Sequence, residues 1–151
     1  FGKKMQVCGF LAGKRIEEVA ENVFKVPSRI NSTWGGNLVD MVRAQKYLEI
    51  IQEENLVDNA RVVGEHLLGG LQALAVDFPG VVSNPRGRGL YAAFDALDAG
   101  IRAKIRTACL KRGLIILPSG ERAIRFRPPL NVSKKEINEG MEIIRKSITA
   151  L

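Results

Sequence analysis

Apolar positions recur along this chain at helical spacing in three long stretches and in short runs between them. From about 38 to 53, Met41, Ala44, Leu48 and Ile51 fall on one stripe, with Val42 and Tyr47 alongside. That periodicity predicts a helix whose apolar face must be buried against something. A second helix is predicted over 56–77 on Val63, Leu67, Leu71 and Leu74, stopping before Pro79-Gly80. Gly64, Gly69 and Gly70 lie inside it and each weakens a helix by about 1 kcal/mol relative to alanine, so they are expected to permit close packing. A third helix, over 134–149, opens at Ser133 with Glu136 three residues on, the pattern of a capping box, and turns Ile137, Met141, Ile144 and Ile148 inward.

Shorter elements fill the intervals. Residues 5 to 12 are an apolar run suited to a buried strand and closed by Gly13, which puts Lys3 on the entry turn. A helical turn is expected over 16–21 and an extended piece from Val23 to Val26, ended by Pro27. The segment up to Asn37, rich in Ser, Thr, Gly and Asn, reads as a loop. Strands are predicted at 81–83 and 90–95 around an Arg86-Gly87-Arg88-Gly89 turn, a helix at 98–112, and strands at 114–117 and 122–127. Helices mixed with short hairpin-like strands indicate an α+β layer structure.

A length of 151 residues with 46% hydrophobic content suffices for a packed core. The chain starts at Phe1 and shows neither a signal peptide nor an apolar run long enough to span a membrane, so it reads as beginning within a longer soluble protein. Cys8 and Cys109 lack metal-ligand spacing, and reduced thiols in a cytoplasmic setting are expected. The formal charge of +7 raises the question of nucleic acid. Basic and acidic residues are interleaved, however, as in Lys14-Arg15-Ile16-Glu17-Glu18, with no polybasic block, so a solvated surface is expected and nucleic acid is not.

Three places could carry chemistry. Lys3 sits beside Lys4 and an apolar strand, where burial and a neighbouring cation would both lower an ammonium pKa and favour the neutral amine that attacks a carbonyl; an ordinary solvated lysine pair is the alternative. Residues 31 to 37, Asn-Ser-Thr-Trp-Gly-Gly-Asn, place hydroxyls and a diglycine ahead of a helix. That could bind phosphate, or simply cap the helix through Asn37 with Trp34 as an anchor. Arg125 alternates with Ile124 and Phe126, so Arg125 and Arg127 should share one face of a strand, as a carboxylate receptor or as members of surface ion pairs. In Arg86-Gly87-Arg88-Gly89 the glycines are expected to serve backbone geometry. His66 has no Cys or His partner at ligand spacing and is expected to be structural; no metal site is expected.

Taken in order, Phe1-Gly2-Lys3-Lys4, the 31–37 loop, Arg86-Gly87-Arg88-Gly89-Leu90 and Ile124-Arg125-Phe126-Arg127-Pro128-Pro129 resemble the class III pyridoxal-phosphate (PLP) aminotransferases over the whole chain. Phe-Gly-Lys-Lys-x-Gln-Val-Cys-Gly and Val-Pro-Ser-Arg-x-Asn-Ser-Thr-Trp-Gly-Gly-Asn are similar to the branch acting on the terminal amine of L-lysine, more than to the 4-aminobutyrate or ornithine branches. The resemblance implies the C-terminal part of a fold-type I enzyme. Residues 1–36 would be the edge of the PLP-binding large domain, and 37–151 a linking helix and the C-terminal small domain. It implies Lys3 as the lysine that links to PLP and moves the substrate proton, with Lys4 as the adjacent competitor for that role. Thr33 would reach the PLP phosphate of the opposite subunit of a homodimer, and Arg125 would bind a substrate carboxylate.

The implied reaction passes the terminal amino group of L-lysine to 2-oxoglutarate, giving 2-aminoadipate 6-semialdehyde and glutamate. Because the remaining PLP contacts of the family have no counterpart in these 151 residues, the isolated chain is expected to be inactive. Another class III transaminase, or a non-catalytic basic interaction domain, are the alternatives.

Overall fold

The computed structural model describes residues 12–30 and 37–151, in two compact units, Phe1–Glu54 and Asn55–Leu151. In the first unit a short 3-10 helix, Lys14–Glu18, overlaps the helical turn expected over 16–21 but starts and ends earlier. The extended piece expected over Val23–Val26 is instead a series of turns. Asn22 is the reason: its side-chain oxygen accepts from Phe24 N–H (3.0 Å) and Lys25 N–H (3.2 Å), while its amide donates to the carbonyls of Ile16 and Val19. A side chain that satisfies local backbone groups in this way competes with a strand.

Helix α1 (Leu38–Glu53) has the predicted bounds, and Asn37 caps it by accepting Val39 N–H at 3.0 Å. The expectation that its apolar face is buried is not met within the described residues. Ala44 is buried, but Leu38, Val39, Met41, Val42, Tyr47 and Leu48 are 46% to 75% exposed.

The second unit is a four-stranded antiparallel sheet with three helices on one side. Helix α2 (Leu56–Asp77) and helix α4 (Lys134–Thr149) have the bounds that periodicity predicts, and α3 (Ala99–Lys111) lies one residue inside its expected span at each end. The Ser133–Glu136 capping box is formed in both directions. The strands are β1 (Val82–Arg88), β2 (Tyr91–Ala96), β3 (Leu117–Ser119) and β4 (Ala123–Phe126), in the order β1-β2-β4-β3. Phe94, Ala96, Ile124 and Phe126 face the helices and meet Leu67, Leu71, Leu74, Ile105, Ile144 and Ile148 in one core. A Leu or Ile side chain removed from water at such a site contributes about 1.5–3 kcal/mol.

Two strands depart from expectation. Arg86-Gly87-Arg88 is not a turn but the end of β1, paired with Ala93, Ala92 and Tyr91; the reversal is confined to Gly89-Leu90. Gly87 makes that pairing possible, because an added Cβ would lie 2.7 Å from the Cα of Ala92. The strand expected at 114–117 starts only at Leu117. Ahead of it, the N–H of Leu114 closes the end of α3 on the carbonyl of Cys109, and Arg106 Nε–H donates to the carbonyl of Ile116 at 3.2 Å.

Candidate active site

Antiparallel partners directly opposite one another project from the same face, so the register assigns each side chain to a side of the sheet. In β4, Ile124 and Phe126 enter the core, and the ring of Phe126 lies 5.9 Å from that of Phe94. Arg125 therefore emerges on the face away from the helices. Its opposite neighbours are Ala93 on β2 and Leu117 on β3. β4 pairs on both sides and is not an edge strand, so the guanidinium stem is flanked by a methyl group and an isobutyl group.

Arg125 has no hydrogen bond or ion pair among the described residues, and its Nε is buried without an acceptor. Several arginines nearby are engaged, although Arg102 Nε is likewise buried without an acceptor. Arg86 is paired with Asp95 at 2.9 Å, and Arg102, Arg106, Arg112 and Arg122 each donate to a main-chain carbonyl. A buried N–H left unmet costs on the order of 1–3 kcal/mol, more when the group is charged, and a carboxylate would recover it through a charge-assisted bond. The surface ion pair considered for Arg125 is therefore not formed among the described residues, which leaves its donors open. A cavity of about 370 Å³ opens at the end of β4 toward the helices, with Leu67 of α2 and Ile137, Met141 and Ile144 of α4 among its walls and Arg125 and Arg127 at its border. Arg127, expected on the same strand face, lies one residue past the end of β4 and borders that cavity.

Lys3, Lys4 and Thr33 lie outside the described residues. Of the predicted site residues, Arg125 is the one the described structure locates. His66 links two helices, its Nε2 donating to Asn138 Oδ1 at 2.6 Å, in keeping with a structural role. The framing of Arg125 by Ala93 and Leu117, and the part taken by Arg127 in the cavity wall, escaped the sequence reading. Both depend on which strands become neighbours, for which the sequence carries no local signal.

Asp95, on the same open sheet face, is held by Asn84 Nδ2 at 3.1 Å and Arg86 at 2.9 Å. Burial acts to raise its pKa, but those two donors and the charges of Arg86 and Arg122 outweigh it and hold the carboxyl below its ordinary range. This arrangement ties down a bulge between Ser83 and Arg86, where Asn84 has φ +50° and Pro85 has no N–H for the ladder.

The family model for class-III aminotransferases matches residues 1–148. An L-lysine-epsilon aminotransferase of Mycobacterium bovis is 51% identical over 148 residues, covering 98% of this chain and 33% of the relative. The human mitochondrial 4-aminobutyrate aminotransferase is 36% identical over 130 residues, covering 86% of this chain and 25% of the relative. A solved structure of the lysine aminotransferase from M. tuberculosis, in its internal aldimine form, superposes with a TM-score of 0.91 at 50% identity, over 99% of this chain and 34% of that one. The chain spans about a third of the length of the lysine aminotransferases it matches. Its mixed helix-and-sheet architecture matches part of these fold-type I proteins, and the chain belongs to the class-III aminotransferases.

Proposed function

We propose that the protein containing this chain is a PLP-dependent aminotransferase that moves the terminal amino group of L-lysine to 2-oxoglutarate, yielding 2-aminoadipate 6-semialdehyde and glutamate. The observation that carries the reading is Arg125, a strand-mounted guanidinium with a buried Nε that lacks an acceptor among the described residues. Its free donors suit the carboxylate that both the amino acceptor and its product possess. The higher identity to a lysine enzyme than to a 4-aminobutyrate enzyme, 51% against 36%, favours L-lysine as donor.

In this reading Lys3 holds the cofactor through its side-chain amine, and Thr33 offers a hydroxyl to the cofactor phosphate of the opposite subunit in a homodimer. Bound PLP supplies the electron sink that makes breaking a C–H bond beside the transferred nitrogen feasible. The amine of Lys3 takes the proton from the ε-carbon of substrate lysine, and Arg125 orients the oxo acid in the return half of the cycle. Residues 1–36 belong to the edge of the large domain and 37–151 to the linking helix and small domain. The exposed apolar stripe of α1 suits a larger assembly, since contiguous apolar surface of this kind is ordinarily covered.

The decisive experiment uses the full-length protein with L-lysine, ornithine and 4-aminobutyrate as donors, together with borohydride trapping of PLP and mass mapping. Transfer from L-lysine with the label on Lys3 is expected. Preference for another donor would replace the substrate assignment, and labelling at Lys4 would overturn the assignment of Lys3.

A further inference from the structure

Among the described strands Asp95 is the single acidic residue, and the register puts it on the open sheet face together with three arginines, Arg86, Arg88 and Arg125. Ala93 of β2 lies opposite both Arg86 on β1 and Arg125 on β4, so both arginines are diagonal neighbours of Asp95, two residues further along β2. Diagonal partners of this kind stand about 7–8 Å apart, a span that a long side chain bridges. The one counter-charge these strands offer is thus within reach of either guanidinium.

Arg86 holds it. Asp95 Oδ1 accepts from Arg86 at 2.9 Å and Oδ2 accepts from Asn84 Nδ2 at 3.1 Å, so each carboxylate oxygen has a donor from β1. Arg86 also donates to the main-chain carbonyl of Asn84 at 2.9 Å, which fastens the two donors to each other. The irregularity between Ser83 and Arg86, with Asn84 at φ +50°, brings both side chains to Asp95, and re-aiming a side chain beside a functional site is a recurrent use of a bulge. The Asp95 side chain is only 13% exposed, so little solvent competes with its two donors. Arg122, whose charge also acts on Asp95, is turned to the carbonyl of Leu97. Arg125 is left with a buried Nε that has no acceptor among the described residues.

We propose that Asn84 and Arg86 form a clip that sequesters Asp95, and that Arg86 is thereby a positioning residue which keeps the guanidinium of Arg125 open to a substrate carboxylate. The proposal rests on the reading of Arg125 as a carboxylate receptor. Without the clip, Asp95 pairs with Arg125 across the diagonal, and an incoming oxo acid has to displace an internal carboxylate before it binds. The Arg86-Gly87-Arg88-Gly89 segment then has two separate duties, close strand contact at Gly87 and control of the open-face charge at Arg86.

The test measures the KM for 2-oxoglutarate and for L-lysine in separate half-reactions of the full-length enzyme. Arg86→Gln should raise the KM for 2-oxoglutarate about fivefold, the equivalent of roughly 1 kcal/mol of competition from an internal ion pair, and change that for L-lysine by less than about twofold. Adding Asp95→Asn to Arg86→Gln should return the KM for 2-oxoglutarate to near the wild-type value, because the competing charge is gone. A purely structural role for the ion pair predicts that the double variant is no better than the single one. Asn84→Gly, which removes one donor and tolerates the positive φ, should raise the same KM by less, again reversed by Asp95→Asn, and serves if Arg86→Gln does not fold. An unchanged KM for 2-oxoglutarate in Arg86→Gln, as when Asp95 turns to Arg122 instead, or no recovery in the double variant, would overturn the proposal. Arg125→Gln separates the two readings. If it leaves the KM for 2-oxoglutarate unchanged, the receptor role of Arg125 fails and the clip has nothing to guard; if it raises that KM while Arg86→Gln does not, only the clip is lost.

Discussion

A Cβ on Gly64 would stand 2.2 Å from the carbonyl carbon of Gly89, so helix α2 and the β1–β2 reversal meet backbone to backbone. Gly89 itself has φ +54°, a conformation that other residues adopt at a cost. Two glycines, one in a helix and one in a hairpin, thereby set the distance between helix layer and sheet.

Gly64→Ala should therefore destabilise the protein by about 1–3 kcal/mol or more, the usual cost of overpacking a contact that has no flexible side chain to yield. Gly69→Ala, at an exposed position where an added Cβ meets nothing within 4 Å, should do the opposite and stabilise by up to about 1 kcal/mol through helix propensity. Denaturant unfolding of both variants of the full-length protein checks the pair. Equal effects would show that the close approach is not what the glycine serves.

Asp95 predicts an acid-sensitive contribution to stability. Its folded pKa lies below the ordinary carboxylate value, so its contribution is fully present above the unfolded value and is lost as pH falls through the folded one, that is, below about pH 4. Asp95→Asn should cost on the order of 1 kcal/mol near neutrality and flatten this part of the acid limb. Comparison of unfolding free energies at pH 7 and at the lowest pH where the wild type stays folded measures it. An undiminished acid slope in the variant would assign the effect to other carboxylates.

Cys109 is fully buried, and burial raises its thiol pKa above the usual value. The thiolate is the reactive form, so Cys109 should resist alkylation in the native protein and react once the protein is unfolded in denaturant. Peptide mapping after brief labelling under both conditions reads this directly. Rapid native labelling at Cys109 would contradict the packing of α3 against α4.

Helices α1 and α4 were legible because their starts have a chemical cause within a few residues. Asn37 and Ser133 accept the first free N–H groups of α1 and α4, and Glu136 completes the second cap. The apolar stripe of α2 became the core as expected, since its period of 3.6 leaves one choice of inward face. The stripe of α1 has the same period but little covering it among the described residues, because periodicity identifies an apolar face without supplying the surface that buries it. The Arg86-Gly87-Arg88 segment read as a turn for a related reason. Glycine serves reversals and close strand contacts alike, and the partner strand decides between them.

Arg125 shows the same division at the site. Alternation with Ile124 and Phe126 determined that it leaves the core, and the order of its motif among the others pointed to the family. Whether it was spent on a surface ion pair or left free depended on contacts beyond its own strand. Tertiary structure alone placed β4 between β2 and β3, set Ala93 and Leu117 on either side of the guanidinium, and left its Nε without an acceptor. Local sequence determines periodicity, capping and face because these are short-range properties of the backbone. Partner strands, and the charges left uncompensated between them, come from segments distant in the chain that only folding brings together.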